Sequence, residues 1–171
     1  YSSFVHVVKE DPKQESVLYA GTDNSVYVSV NGGKHWTKIN NNLPPAPVYW
    51  ITIQEHFDDM VIGTYGRGIF ILDDISPFRE MANSNQNEVN FMPIQNAYRF
   101  QQIQSMKNDG TSLIRGQNPS YGANIDFFLP DTNSQEVTIS IQDMSGNEIR
   151  KITPRKITAG VNRIMWDLRY E

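Results

Sequence analysis

The chain has 171 residues and a net charge of −4 without strong segregation of sign, which argues against the basic face that nucleic acid or an anionic membrane surface demands. It has no cysteine, so a disulfide scaffold and a thiolate metal site are excluded. Hydrophobic residues make up 39% and aromatics 11%, material for a core, while every apolar run is too short to span a bilayer.

Short runs rich in β-branched and aromatic residues predict strands over 4–8, 17–22, 26–30 and 36–39. Turn signals separate them, namely Glu10-Asp11-Pro12, Asp23-Asn24 and Asn31-Gly32-Gly33. A second set follows over 48–54, 60–64 and 69–72. Tyr19-Ala20-Gly21-Thr22 corresponds to Val61-Ile62-Gly63-Thr64, and Val26-Tyr27-Val28 to Ile69-Phe70-Ile71. That period of 42–43 residues suits a four-stranded propeller blade. The fourth strand of the second copy is not evident, because Ser76-Pro77-Phe78-Arg79-Glu80 carries a proline and little alternation.

Beyond residue 80 the composition turns polar, with Asn83-Ser84-Asn85-Gln86-Asn87 reading as linker. Residues 97–106 fit neither the helical nor the strand period. A second β region begins near residue 119. Residues 124–129 read as a strand with Ile125 and Phe127 on one side. Residues 136–142 alternate strictly, with Val137, Ile139 and Ile141 inward. Asp143-Met144-Ser145-Gly146-Asn147 is a hairpin turn, followed by strands over 148–152 and 160–167. The resulting organisation is a blade at 1–41, a closing blade at 42–80, a linker at 81–118, and a truncated β-sandwich module at 119–171. The fold class is all-β. The opening at Tyr1 without Met reads as an internal cut.

One octapeptide is specific. Ser29-Val30-Asn31-Gly32-Gly33-Lys34-His35-Trp36 matches the Asp-box pattern Ser-x-Asp-x-Gly-x-Thr-Trp, with Asn31 for the Asp and His35 for the Thr. Asn31 is suited to bond the turn amides, Gly33 to take positive φ, and Trp36 to lodge under the hairpin. Ser29, Asn31, Gly33 and Trp36 are therefore read as structural, with Trp36 largely buried. Residues 4–80 resemble the closing blades of bacterial sortilin-like, glycosyl-hydrolase-like Asp-box repeat proteins. The tail (137–143, Gly146, 160–167) resembles the immunoglobulin-like module of flagellar-hook-cap and secretion-sorting families. The resemblance implies a secreted or periplasmic protein that binds a protein, peptide or carbohydrate without catalysis in this segment. The alternative it implies is a glycoside hydrolase whose catalytic acids lie on other blades.

Successive turns of an up-and-down sheet alternate ends, so the turns between second and third strands lie opposite the Asp box. Asp23, Asn24, Tyr65 and Arg67 occupy those turns and are the candidate ligand-facing residues. Asp73-Asp74 and Asp58-Asp59 read as solvated turns, since adjacent strand residues point to opposite faces and cannot flank one glycosidic bond. No residue is assigned a catalytic role. His6, His35 and His56 are dispersed without zinc spacing, and no cofactor or metal is expected. Of Tyr49 and Trp50, strand alternation predicts at least one in the core. Bare blade flanks predict either self-association through exposed sheet edges or cover by the sandwich strands and residues 89–103, the latter led by Phe91, Met92, Ile94, Tyr98, Phe100 and Ile103.

Overall fold

A computed structural model describes residues 3–39, 42–98, 121–131 and 136–170. It is mostly β, 46% strand against 6% helix, in several antiparallel sheets, which makes this an all-β chain. Two compact units divide it, Tyr1–Asn85 and Gln86–Glu171.

In the first unit, β1 (Val5–Asp11), β2 (Gln14–Thr22), β3 (Val26–Ser29) and β4 (Thr37–Lys38) form a four-stranded sheet in sequence order. The second sheet holds β5 (Val48–Gln54), β6 (Asp59–Thr64) and β7 (Ile69–Leu72). It has three strands, not the four of a second full blade. Where a fourth was sought, Ser76–Asn83 forms helix α1, with Pro77 in its first turn, a position that suits a residue lacking an N–H. The Asp74 carboxylate accepts bonds from the Ser76 N–H and hydroxyl, 3.1 and 2.6 Å, so this aspartate shapes the turn into the helix.

The repeat is visible residue by residue in the registers. Val7 pairs with Gly21 as Trp50 pairs with Gly63, and Val8–Ala20–Tyr27 runs across the first sheet as Ile51–Ile62–Phe70 runs across the second. Each sheet therefore has two comparable faces. One face of the first sheet, with Val17, Tyr19, Val26 and Val28, shares a core with the opposite kind of face of the second, Ile51, Met60 and Ile62. Gly21 permits the close approach: a Cβ there would lie 2.7 Å from Val48 Cγ1 and 2.8 Å from the Val48 carbonyl oxygen. Phe78 of α1 meets Tyr19 edge-on at 6.1 Å.

The second unit contains a three-stranded sheet, β12 (Gly160–Trp166), β9 (Ala123–Leu129) and β8 (Asn90–Phe91), and a hairpin of β10 (Ile139–Gln142) and β11 (Glu148–Ile152). β8 lies in the stretch read as linker, pairing with Phe127 and Phe128. Ile125, Phe127, Phe128 and Leu129 are buried, and Asp126 on β9 is held by a bidentate pair with cross-strand Arg163 at 2.8 and 2.9 Å. Gly122 is obligatory, because a Cβ would fall 2.2 Å from the Trp166 carbonyl oxygen. The Asp143 carboxylate accepts the Ser145 and Asn147 N–H groups, closing the predicted turn with Gly146 at φ 85°. An open groove of about 560 Å³ runs between the two sheets beside Phe91, Phe127, Leu129, Val137 and Ile139. Among the residues expected to act as a cover, Met92 is buried within this unit, and Phe91, Ile94 and Tyr98 are exposed. Phe100 and Ile103 lie outside the described residues.

Candidate functional site

The two turns read as ligand-facing close in the same way. The Asp23 N–H donates to the Phe4 carbonyl at 3.2 Å, and the Tyr65 N–H donates to the Pro47 carbonyl at 2.9 Å. Next to each closure the first strand of the sheet carries one extra residue. Between Val5 and Val7 the partner strand advances by a single residue, and likewise between Val48 and Trp50. The bulged residues are His6 and Tyr49. A bulge leaves one residue out of the ladder and re-aims its side chain. It also explains why Tyr49 and Trp50 are both exposed, against the expectation that strand alternation would send one of them inward.

These paired bulges bring four side chains into a row. Asp23 Oδ1 stands 2.6 Å from His6 Nε2. The His6 ring stacks on Tyr49, centroids 4.3 Å apart and planes 16° from parallel. Tyr49 in turn meets Tyr65 at 6.1 Å with a tilt of 57°. The Phe4 N–H, donating to Asp23 Oδ2 at 2.9 Å, and then the His6 imidazole, hold the Asp23 carboxyl below its ordinary value, so it stays an anion. With an ionised carboxylate as acceptor, Nε2 of His6 carries the shared proton. The row thus presents a fixed negative charge at one end and exposed aromatic surface at the other.

Of the four residues singled out in the sequence, Asp23 and Tyr65 belong to this row. Asn24 bonds within its own turn, its N–H and Oδ1 meeting Thr22 Oγ1 at 3.4 and 3.3 Å. Arg67 is exposed on a loop shaped by Gly66 and Gly68 at φ 74° and 85° and closed by Thr64 Oγ1 donating to the Gly68 carbonyl at 2.6 Å. His6 and Phe4 were missed as site residues. Extending the repeat back one strand, so that His6 aligned with Tyr49 and Phe4 with Pro47, was the signal that would have found them.

Ser29, Asn31, Gly33 and Trp36 lie on the β3–β4 turn, at the other end of the first sheet. Ser29 Oγ accepts the Gly33 N–H at 2.9 Å, and Asn31 Oδ1 accepts the His35 N–H at 2.9 Å. Gly33 sits at φ 84°, with Trp36 Cζ2 3.9 Å from where its Cβ would be. Trp36 is half-buried, short of the expected burial.

At that same end a closed charge cluster joins both sheets to α1. Asp11, fully enclosed, accepts Arg79 Nε at 2.8 Å, the Tyr19 hydroxyl at 3.1 Å and the Lys13 and Gln14 N–H groups. Arg79 Nη1 reaches Asp58 at 2.8 Å, and Lys13 Nζ reaches it at 2.7 Å. Burial alone would raise the Asp58 carboxyl, but Lys13 and Arg79 outweigh it and hold it below the ordinary range. Burial, then the neighbouring Asp11 carboxylate, pushes the Tyr19 hydroxyl far above its ordinary value, so it remains a neutral donor. Asp11 and Arg79 are buried and Asp58 nearly so, with Lys13 closing the solvent side at 44% exposure and Arg79 Nη2 left without a hydrogen-bond partner among the described residues, which marks the cluster as a clamp, in contrast to the open row.

Among the described residues no group of three or more His, Cys, Asp or Glu is placed to hold a metal ion, and no helix is long and apolar enough to cross a membrane. No family model matches the chain, and neither a curated protein nor a solved structure matches it significantly.

Proposed function

We propose that the first unit is a pair of consecutive β-propeller blades of the sortilin-like, Asp-box kind, that the second is an immunoglobulin-like module, and that the chain is a non-catalytic binding segment of an exported protein. The head-to-tail stacking of two sheets at a 42–43-residue repeat supports the blade reading. So do the Ser29, Asn31 and Gly33 turn bonds. The Asp143 turn and the antiparallel β9–β12 ladder support the module reading.

The observation that carries the binding function is the row Asp23–His6–Tyr49–Tyr65. Two bulges in equivalent places expose aromatic rings that ordinary strand alternation would have turned inward in part. Such rings give a stacking surface for a sugar ring or a planar side chain, and Asp23 supplies an acceptor for hydroxyls or a cation. Phe4, Trp50 and Arg67 border it. A ligand with alternating flat and polar groups, a glycan or an extended peptide, fits this chemistry.

Neutral-oligosaccharide and peptide arrays probed with the intact chain provide the test. Tyr65→Ala, exposed and therefore harmless to the fold, is expected to weaken the retained ligands by about tenfold, the worth of one good aromatic contact. Asn31→Ala, at the far end, leaves binding unchanged. Signals equal for wild type and for a Tyr49→Ala/Tyr65→Ala double variant would refute the site.

A further inference from the structure

One asparagine in the chain is followed by glycine, Asn31 before Gly32. With no side chain on the following residue, the backbone nitrogen can approach the carboxamide without steric hindrance. A Cβ at Gly32 would meet nothing within 4 Å, and both residues are exposed. In the closed β3–β4 turn, however, both reacting groups are tied down. The Gly32 N–H donates to the Ser16 carbonyl on β2 at 2.8 Å. Asn31 Oδ1 accepts the His35 N–H at 2.9 Å and the Ser29 hydroxyl at 3.1 Å. Among the described residues the other polar atom of this side chain, Nδ2, donates to nothing. The turn therefore uses the side chain as an acceptor alone, a role that a carboxylate fills with stronger, charge-assisted bonds.

We propose that Asn31–Gly32 is a deamidation site gated by the β3–β4 turn. The closed turn blocks the reaction, and the opened turn lets Asn31 become an aspartate that the turn then holds more tightly. In the reaction the Gly32 nitrogen gives its proton to solvent and attacks Asn31 Cγ. The new N–Cγ bond closes a succinimide ring, the bond from Cγ to Nδ2 breaks, and the nitrogen takes up a proton and leaves as ammonia. Water then opens the ring, at Cγ's side or at the backbone carbonyl, giving aspartate or isoaspartate. The sum is a carboxamide and water converted to a carboxylic acid and ammonia, with no oxidant or reductant. The attack requires the Gly32–Ser16 bond to break and the carboxamide to leave its two donors, so it proceeds from a locally opened state. An aspartate at position 31 recovers every one of these bonds on closing. An isoaspartate lengthens the main chain inside the turn, which shifts Gly32 off Ser16 and moves the Gly33 N–H away from Ser29 Oγ, its acceptor at 2.9 Å.

Tandem mass spectrometry of the tryptic peptide that holds Asn31 reads the reaction, in intact chain aged at mildly alkaline pH with and without concentrated urea. Wild type is expected to deamidate at Asn31 in urea, and at least about tenfold more slowly without it. Urea below the unfolding transition should leave the slow rate unchanged, because opening one turn exposes little surface. Ser29→Ala removes one donor from Oδ1 and should speed the native reaction by about fivefold, the worth of one hydrogen bond, without changing the rate in urea. Asn31→Asp should melt at or above wild type. Equal rates with and without urea overturn the proposal, as does a native rate that climbs along the global unfolding curve. So does a folded Ser29→Ala chain that ages as slowly as wild type, or an Asn31→Asp chain that melts below it. If Ser29→Ala does not fold, the urea dependence of the wild type and the Asn31→Asp melt decide the matter without it.

Discussion

At one end of the first unit Asp11, Arg79 and Asp58 are sealed between two sheets and a helix; at the other, Asp23, His6, Tyr49 and Tyr65 lie in the open. Both groups bridge the same two sheets. They differ in what surrounds the charges. Arg79 brings its guanidinium from α1 to both carboxylates, and Asp11 gains further bonds from a hydroxyl and two backbone amides. Asp23 has one backbone amide and one imidazole, and beyond them solvent and exposed rings. Satisfying every acceptor internally gives a clamp with no capacity for a ligand. Leaving aromatic faces and one anion accessible gives a surface that has capacity but adds little to stability.

The sharpest way to break this comparison is at Arg79. Arg79→Met keeps the length and apolar stem of the side chain but takes the cation from the fully enclosed Asp11, while Asp58 keeps Lys13. Removing one partner of a buried ion pair costs about 3–5 kcal/mol. Chemical denaturation should show a loss of that size, with Tyr65→Ala unchanged beside it. A loss below about 1 kcal/mol, the ordinary worth of an exposed pair, would mean that the cluster is not a clamp.

A smaller effect separates the two sheets. Gly21 and Gly63 occupy equivalent ladder positions, but a Cβ at Gly21 would collide with Val48 and Val7 at 2.7–2.8 Å, whereas at Gly63 its closest contact is Trp50 Cβ at 3.2 Å. Gly21→Ala should destabilise by about 1–3 kcal/mol, as overpacking does, and Gly63→Ala by clearly less. Equal losses in a monomeric sample would mean that the face of the second sheet is not open as described.

The all-β class, the strands and the 42–43-residue repeat were legible because β-branched runs and Gly/Asn/Asp turns are local signals. The β3–β4 turn was legible for the same reason, since Ser29, Asn31 and Gly33 bond within five residues of one another. What failed to show was non-local or sub-periodic. α1 escaped because one proline weighed against helix, although proline is well placed in a first turn. β8 escaped because two residues carry no period, and it is a strand only through its pairing with β9. His6 was missed, and Tyr49 and Trp50 were not both expected outside, because a bulge is a one-residue break in alternation. It cannot be read from Val5-His6-Val7 or Val48-Tyr49-Trp50 alone, and it emerges only from counting against the partner strand. The Asp11–Arg79–Asp58 cluster spans 68 residues of chain between its first two members, beyond any local pattern.

The smallest expected effect lies at the open end, in acid. The folded-state pKa of Asp23 is depressed, so its contribution to stability is fully present above the unfolded value, near 3.8, and is lost as the pH falls through the still lower folded value. Asp58 follows the same sign at the clamp, where two cations rather than an amide and an imidazole hold it down. Thermal melts of the intact chain from pH 7 to pH 2 should therefore fall below pH 4 in the wild type. Asp58→Asn should flatten that fall more than Asp23→Asn does. At pH 7, Asp23→Asn should melt close to wild type, because an asparagine oxygen still accepts the Phe4 N–H. The His6 ring protons report the local geometry independently. Stacked 4.3 Å from Tyr49, they are shielded by its ring current, and they should stay shielded in Asp23→Asn if the bulges rather than the ion pair fix the stack. Loss of that shielding together with a melting shift as large as that of Arg79→Met would show that the open row is a second clamp, and that the two ends do not differ in kind.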